Sequence, residues 1–262
     1  MLGLPSEPQR KLIFSWKDYR EFILYARRRI RSEQDYFSFE KYQGSLLVRY
    51  LHSKGVPVNQ SDALDIGCGF GGYTTALREA GSNAIGLDLN SAKISNLPVK
   101  VTSDALCMPF ARGSFSLVIC SSLIEHVPDP LQLLFEIDRI LKPKGYLYLS
   151  FPPFYSPAGG HQFSPFHYLG ERLAISIFTR RKKYAQREWV ERYLSFSPTS
   201  YTTSFGSWGL YRRTITWAKK EIKKFSWDLI DCSTRFSPLN TTLLPVLGEF
   251  LTWHAQFLIQ KK

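Results

Sequence analysis

A cluster of glycines directly after a short apolar run constrains this chain most. Residues 64–72 read Leu-Asp-Ile-Gly-Cys-Gly-Phe-Gly-Gly. Glycines after a strand let the backbone turn sharply and approach a ligand where a Cβ would collide, and the first amides of a following helix favour an anionic group. Gly67, Gly69 and Gly72 also satisfy the dinucleotide pattern G-x-G-x-x-G, with Asp88 about 20 residues further on. By itself the cluster is a weak signal, and a plain strand–helix turn without a ligand is the alternative.

Apolar runs and helical periodicities alternate on both sides of this cluster. Before it, residues 16–31 and 33–54 mix apolar and charged residues at helical spacing and predict two amphipathic helices. After it, short apolar runs predict strands at 63–66, 84–89, 99–103, 116–121 and 146–151, with helices at 73–80 and 131–141. This alternation predicts an α/β protein with a parallel, doubly wound sheet.

The chain changes character after residue 151. Residues 152–170 are rich in Pro, Gly, His and aromatic residues and predict an irregular connection. Helices are predicted over 171–194 and 211–224, and closing strands of the same sheet over 227–235 and 251–259, with 237–249 as a long connection. We therefore divide the chain into a helical N-terminal cap (1–60), a core (61–152), an insertion after strand five (153–210) and a C-terminal helix with closing strands (211–262).

Composition excludes several classes of protein. Hydrophobic residues make up 44% of the chain and charged residues 21%, which excludes wholesale disorder. Four Cys without a C-x-x-C pair fit a reducing compartment. The first ten residues lack an apolar signal core, and the uncharged stretch 236–248 is too short for a membrane span. We therefore expect a soluble, cytoplasmic protein.

The net charge of +12 is unevenly divided along the chain. Counting Lys and Arg against Asp and Glu gives +4 for residues 1–62, −1 for 63–150 and +9 for 151–262. The basic runs are either solvated helix faces or, with their interleaved aromatic residues, a surface for lipid head groups or phosphates. These runs are residues 27–31 and 180–183, together with Lys219, Lys220, Lys223 and Lys224.

Acidic residues follow three successive predicted strands. Asp65 lies two residues before the first glycine, where it can accept from an amino group. Asp88 can accept from a ribose diol, and Asp104 lies where an adenine amino group is expected, although Asp104 alone could simply cap a turn. Because ligands of such sheets bind beyond the carboxyl ends of the strands, the three acids converge on one crevice. The set argues against a nicotinamide enzyme.

Together these motifs resemble those of class I S-adenosylmethionine-dependent methyltransferases, especially the small-molecule branch related to ubiquinone biosynthesis. The resemblance covers about residues 61–152 and rests on the glycine stretch, Asp88, D-x-x-x-x-P-F at 104–110, L-I-E-H-V at 123–127 and I-L-K-P-K-G-Y at 140–146. It implies S-adenosylmethionine as cofactor and a Rossmann-like seven-stranded sheet with its last strand antiparallel. It also implies contacts with the methionine part (Asp65, Gly67, Cys68, Gly69), the ribose (Asp88, Leu89) and the adenine (Asp104, Ala105), with Ser121 lining the pocket.

Histidine is the most common general base for a hydroxyl acceptor. His161 and His167 lie after strand five, where the acceptor site is expected, and we choose His161 because Gly159 and Gly160 would allow close approach. His126, in the Glu-His-Val turn, is a further candidate, but its favoured role is to shape the cofactor pocket. Each histidine could instead only pack or hydrogen-bond in its loop. No metal site is predicted.

The acceptor is constrained less than the cofactor. Cys120-Ser121-Ser122 stands where enzymes that methylate DNA bases or glutamine amides carry Asn/Asp-Pro-Pro-Tyr. The segments around 235–238 and 250–258 resemble methyltransferases of polysaccharide or lipid-linked glycan synthesis. We therefore predict O-methylation of a small or glycan- or lipid-linked acceptor, with peripheral contact to an anionic inner membrane face. The alternatives are RNA methylation, which lacks a recognition module here, and a cofactor-binding regulator without turnover; the oligomeric state is left open.

Overall fold

A seven-stranded sheet dominates the computed structural model, which describes residues 14–29, 31–90, 97–180 and 210–262. The strands lie in the spatial order β3-β2-β1-β4-β5-β7-β6; β1 to β5 run parallel, and β7 is antiparallel to both of its neighbours. This confirms the predicted α/β sheet with an antiparallel last strand. The strands are β1 Asp62–Ile66, β2 Asn83–Asp88, β3 Lys100–Thr102, β4 Phe115–Ser121, β5 Leu141–Phe151, β6 Trp227–Thr234 and β7 Ala255–Lys261.

Helices cover both faces of the sheet, which explains why its central strands are apolar throughout. Strand β4 is buried at five of its seven positions, as expected for a strand with helices on both faces. The helices are α1 Trp16–Arg28, α2 Glu33–Ser53, α3 Gly72–Glu79, α4 Pro130–Ile140, α5 Glu171–Arg180, α6 Ile215–Ile222 and α7 Leu247–Leu251. Within the described ranges, none of them is long and apolar enough to cross a membrane.

The apolar core is split into two clusters, one on each face. On one face α4 and α6 pack against the strands through residues such as Ile137 and Ile222. On the other face α2 and α3 do so through Leu47, Leu51 and Leu77. Helices α2 and α3 therefore share one cluster with the sheet, and α4 and α6 share the other.

Helix α2 is anchored to the far edge of the sheet. The Tyr50 hydroxyl donates to Asp231 Oδ2 at 2.7 Å, and Lys54 Nζ donates to Asp231 Oδ1 at 2.6 Å. Helix α1 packs on α2 with a capping box formed by Ser15 and Asp18, and none of its residues is buried. Helix α2 is thus held firmly against the sheet, whereas α1 lies on the surface.

The predicted elements occur in the predicted order, with two instructive differences. Strand β7 begins only at Ala255, because the segment before it forms α7. Glu249 in α7 accepts from the backbone N–H groups of Ile215 and Thr216, both at 2.8 Å, and so ties this segment to α6 instead of the sheet. The predicted helix 171–194 is described only as α5, and the remainder lies outside the described residues.

Candidate functional site

The strand register brings several predicted cofactor residues to one edge of the sheet. Ile66 pairs with Leu87 on one side and with Cys120 on the other. The residues that follow these three, Gly67, Asp88 and Ser121, therefore lie side by side at the carboxyl ends of β1, β2 and β4. This edge, where three loops begin together, is the expected ligand position for such a sheet.

The glycine loop is clamped onto the end of β2. The N–H groups of Gly67 and Cys68 both donate to the Leu87 carbonyl, at 2.7 and 3.0 Å. Gly67 and Gly69 have φ angles of 70° and 58°, in the left-handed region that favours glycine. Burial raises the pKa of the Cys68 thiol, so this side chain acts as a small apolar group within the loop.

Asp88 presents a carboxylate whose orientation is fixed by two backbone donors. Gly69 N–H donates to Oδ2 at 3.0 Å, and Asn90 N–H donates to Oδ1 at 2.8 Å. The neighbouring Leu89 side chain is 60% exposed, so an uncovered apolar surface lies directly beside the carboxylate. An oriented hydrogen-bond acceptor next to an apolar platform fits a ribose diol and its attached base.

The other two predicted acids already have partners within the protein. Asp65 is 2% exposed, and its Oδ2 accepts from the Thr74 hydroxyl at 2.7 Å. Burial raises the pKa of Asp65 to about 7. Asp104 is exposed, and its Oδ1 accepts from Leu106 N–H at 2.9 Å, which is the turn cap that the sequence allowed for; Ala105 beside it is buried.

Glu40 in α2 is a candidate site residue that the sequence pattern did not reveal. Its Oε2 accepts from the backbone N–H groups of Phe70 and Gly72, at 3.1 and 3.2 Å. It therefore occupies the N-terminal amides of α3, a position that the sequence left for a ligand anion. Nothing in the spacing of α2 connects residue 40 to the loop, so only the tertiary packing identifies this contact.

Beyond β4 and β5 lies a group of residues that we call the acid–imidazole cluster: Glu125, His126 and His161. Glu125 is 2% exposed, and neither of its carboxylate oxygens has a hydrogen-bond partner among the described residues. His161 Nε2 lies 3.6 Å from Glu125 Oε1, and the rings of His126 and His161 are 4.8 Å apart. Burial raises the pKa of Glu125 to about 7 and lowers the pKa of His161 to about 4.

The chain holds this cluster in place from both sides. Arg213 donates to the carbonyls of Ile124 and Val127, at 3.3 and 2.8 Å, and so braces the turn that carries Glu125. His161 begins a short 3₁₀ turn with a φ of 49°, a conformation that costs a non-glycine residue free energy. Strained backbone concentrates at functional sites, which directs attention to His161.

The same three residues could hold a metal ion. One oxygen of Glu125 and one ring nitrogen from each histidine all lie within 4.8 Å of one another. Two imidazoles and one carboxylate suit a divalent transition-metal ion. The sequence predicted no metal site because His161 joins the other two residues only through the fold.

His167 and the two glycines before it have a different environment from the one predicted. His167 is 2% exposed, and its Nε2 donates to the Phe154 carbonyl at 2.9 Å. A Cβ on Gly159 would collide with the carbonyl oxygens of Pro153 and Phe154, and a Cβ on Gly160 would collide with the His167 ring. These glycines therefore allow the loop to pack on itself. The assignments of His161 and His167 as bases stay predictions.

Comparison with known proteins supports the interpretation of the glycine-loop edge. Residues 64–149 match the family of methyltransferase domains. An uncharacterized methyltransferase of Mycobacterium leprae is 31% identical over 140 residues, which are 50% of this chain and 52% of that protein. One from Mycobacterium tuberculosis is 33% identical over 126 residues, 45% of this chain and 50% of that protein. The chain spans about half the length of these curated relatives.

Solved structures share the fold at low sequence identity. An S-adenosylmethionine-dependent methyltransferase from Mesorhizobium loti has a TM-score of 0.54 and 16% identity, over 81% of this chain and 96% of that one. The magnesium protoporphyrin IX methyltransferase from Synechocystis PCC 6803, solved with bound S-adenosylhomocysteine, has a TM-score of 0.51 and 14% identity, over 85% and 83%. Both likenesses concern the fold.

Proposed function

We propose, because residues 64–149 match the family of methyltransferase domains, that the chain is a class I S-adenosylmethionine-dependent methyltransferase that methylates an oxygen atom of a small acceptor. The acid–imidazole cluster carries this proposal. It places a buried carboxyl group and a neutral imidazole after β4 and β5, at the edge of the sheet where β1 and β2 present Gly67 and Asp88. A site with a cofactor edge and an adjacent proton acceptor is suited to alkylation of a hydroxyl group.

The glycine-loop edge has the features that S-adenosylmethionine requires. When bound, this cofactor supplies an electrophilic methyl group on a sulfonium. We assign the ribose to the oriented carboxylate of Asp88, and the adenine to the surface formed by Leu89, Asp104 and Ala105. Gly67, Cys68 and Gly69 would hold the methionine part, and the Glu40 carboxylate would lie beside the same loop.

His161 has the protonation state that a general base needs. Because burial lowers its pKa to about 4, its imidazole is neutral at pH 7 and its Nε2 lone pair can accept the hydroxyl proton. The Glu125 carboxyl group, whose Oε1 lies 3.6 Å from Nε2, stabilises, when ionised, the imidazolium that forms. As the hydroxyl proton moves to His161, the acceptor oxygen gains nucleophilicity.

An exposed apolar segment favours a lipid-linked acceptor over a freely soluble one. We call residues 239–251 the apolar segment; its Leu243 and Leu247 are 71% and 59% exposed. Glu249 within it contacts the N-terminus of α6, the helix that carries Lys219 and Lys220. An apolar surface beside basic side chains suits the interface of an anionic membrane.

Formation of S-adenosylhomocysteine from S-adenosylmethionine in the presence of hydroxylated acceptors tests this function. For an accepted substrate, His161→Ala should lower kcat by about 10²–10⁴-fold, the usual contribution of a general base, and leave S-adenosylhomocysteine affinity unchanged. His52→Ala, on the exposed side of α2, is the matched control and should keep normal turnover.

Other outcomes would contradict specific parts of the proposal. Near-normal kcat in His161→Ala at saturating substrates would exclude His161 as the base. Binding of the cofactor without turnover of any acceptor would favour the regulator alternative. Methylation of tRNA in place of the small acceptors would favour the RNA alternative.

A further inference from the structure

Arg235 is a buried cation whose best hydrogen-bonding edge is unused. The residue directly follows β6, is 2% exposed, and forms one side-chain hydrogen bond among the described residues, from Nη1 to His254 Nε2 at 2.9 Å. Its Nε and Nη2 are buried and have no partner there. These two nitrogens form the edge of the guanidinium that binds a carboxylate or phosphate through two parallel hydrogen bonds.

Among the described residues, no acidic side chain forms an ion pair with Arg235. His254 is itself buried, and burial together with Arg235 holds its pKa well below the usual range, so the imidazole is neutral and accepts from Nη1. The rings of Phe236 and Tyr73 lie 4.6 and 5.5 Å from the guanidinium carbon. Aromatic faces favour a cation, but they leave both free N–H directions unsatisfied, which is costly in a buried position.

Arg235 lies at the edge of the sheet that carries the candidate site. Thr234 pairs with Ala255, and Ala255 pairs with Phe151 at the carboxyl end of β5. His161 contributes to the low pKa of His254, which links this region to the acid–imidazole cluster. Tyr73, whose ring lies 5.5 Å from the guanidinium carbon, immediately follows the last glycine of the glycine loop. Arg235 is therefore linked through its neighbours to both the glycine loop and the acid–imidazole cluster.

Aromatic side chains surround this position and suit an acceptor with an apolar body. Phe22 packs on Trp253 and Phe236 at centroid distances of 5.3 and 6.4 Å. Phe22 belongs to α1, the helix without a buried residue. Phe22, Trp253 and Phe236 therefore form one aromatic group beside Arg235, whose guanidinium lies over the Phe236 ring.

We propose that Arg235 recognises a carboxylate or phosphate group on the methyl acceptor, which it binds through parallel hydrogen bonds from Nε and Nη2. The inference rests on the proposed function and narrows it to an anionic acceptor with an apolar body. The acceptor supplies the missing counter-charge, and its anion orients the hydroxyl toward His161.

Small aromatic anions test this recognition without knowledge of the acceptor. We would measure the affinities of benzoate, phenyl phosphate and the neutral benzyl alcohol by calorimetry, at constant ionic strength in a chloride buffer. The wild type should bind one of the anions at least about tenfold more tightly than benzyl alcohol, as expected for a charge-assisted pair of hydrogen bonds. The tighter of the two anions distinguishes a carboxylate from a phosphate.

Variants at residue 235 attribute this affinity to the guanidinium. Arg235→Met should weaken anion binding at least about tenfold, and Arg235→Lys should weaken it as well, because a lysine retains the charge and loses the parallel pair of donors. Arg112→Met makes the same substitution at an exposed position before β4 and should bind as the wild type does.

Three results bear directly on the proposal. If the wild type prefers neither anion to benzyl alcohol, or if Arg235→Met and Arg235→Lys bind the anions normally, the proposal is overturned. S-adenosylhomocysteine binding, measured on the same samples, should be the same in all variants and reports folding of the cofactor edge. If the wild type does not bind S-adenosylhomocysteine, the proposed function is contradicted. The anion affinities still test the role of Arg235 in that case.

Discussion

At the scale of single residues, the contact between Glu40 and the glycine loop changes what the loop can offer a ligand. The amides of Phe70 and Gly72 would ordinarily attract an anion, but the Glu40 carboxylate already accepts from both. The net effect is to convert a positively polarised loop into one with an acidic side chain above it. Such a loop is suited to the ammonium group of an amino acid more than to its carboxylate.

Glu40→Gln tests this conversion because glutamine retains an oxygen acceptor and removes the charge. We expect the affinity for S-adenosylhomocysteine to fall by about tenfold, the order expected when a charge-assisted hydrogen bond is replaced by a neutral one. Isothermal titration calorimetry measures the change. Glu79→Gln is the matched control, because Glu79 pairs with Lys41 at the exposed end of α3. If both variants bind alike, Glu40 only packs against the loop.

At the scale of elements, the bonds between α2 and β6 hold the N-terminal helices against the sheet. Burial raises the pKa of Asp231, but hydrogen bonds from Lys54, Tyr50 and Ser233 outweigh this effect and hold the pKa below its usual value. A carboxyl group whose pKa is lowered in the folded state stabilises the protein above its unfolded pKa. That contribution is lost as the pH falls through the lowered, folded pKa.

Asp231→Asn should therefore destabilise the protein in a pH-dependent way. We expect a loss of about 1–3 kcal/mol in the free energy of unfolding at pH 7, as for removal of one partner from a partly buried charged network. The difference from the wild type should begin to shrink below about pH 4, the pKa of Asp in the unfolded chain, and disappear as the pH falls through the lower pKa of the folded state. Urea denaturation across this range measures both effects. Asp228→Asn, whose exposed partner is Lys262, should have almost no effect; an equal loss in both variants would contradict the role of Asp231.

The elements were predictable from the sequence to the extent that their signals are local. The glycine loop, the apolar strands and the helical periodicities predicted the order of the core elements. The three acids at strand ends predicted a cofactor edge, which stays a prediction. Segment 247–251 was predicted partly as a connection and partly as the start of a strand, because its bond to α6 through Glu249 depends on tertiary contact. The division into cap, core, insertion and closing elements stays a prediction.

The residues that the sequence did not reveal owe their positions to pairings across the fold. Glu40, Arg213 and Arg235 are charged residues, and charged residues in amphipathic segments are ordinarily solvated. Arg213 lies in a segment predicted as a basic helix, yet its guanidinium braces the turn at Glu125. The spacing of charged residues in the sequence does not distinguish one that is buried in the fold from one that is exposed.

At the scale of the whole molecule, the basic flanks and the apolar segment together predict a surface that binds anionic membranes. Leu243→Ser with Leu247→Ser should reduce retention on anionic phospholipid vesicles, because both side chains are exposed and their loss removes apolar area from the interface. Retention of the wild type should also fall between about 50 mM and about 300 mM salt if Lys219 and Lys220 contribute. Vesicle sedimentation measures both effects.

Two comparisons keep this prediction specific. Leu24→Ser removes a side chain that is 46% exposed on α1 and should leave vesicle retention unchanged. If Leu24→Ser lowers vesicle retention as much as the double variant at residues 243 and 247, the effect is a nonspecific one of surface hydrophobicity. Retention on tRNA without retention on vesicles would contradict a lipid surface and support the nucleic-acid alternative.

The placement of β7 between β5 and β6 has a consequence for the folding of the chain. Among the described residues, β6 pairs only with β7, so its backbone donors and acceptors stay unpaired until residues 255–261 have added to β5. An unpaired strand edge is prone to association with other chains. Substitutions that slow the docking of β7 should therefore lower the yield of folded protein through aggregation.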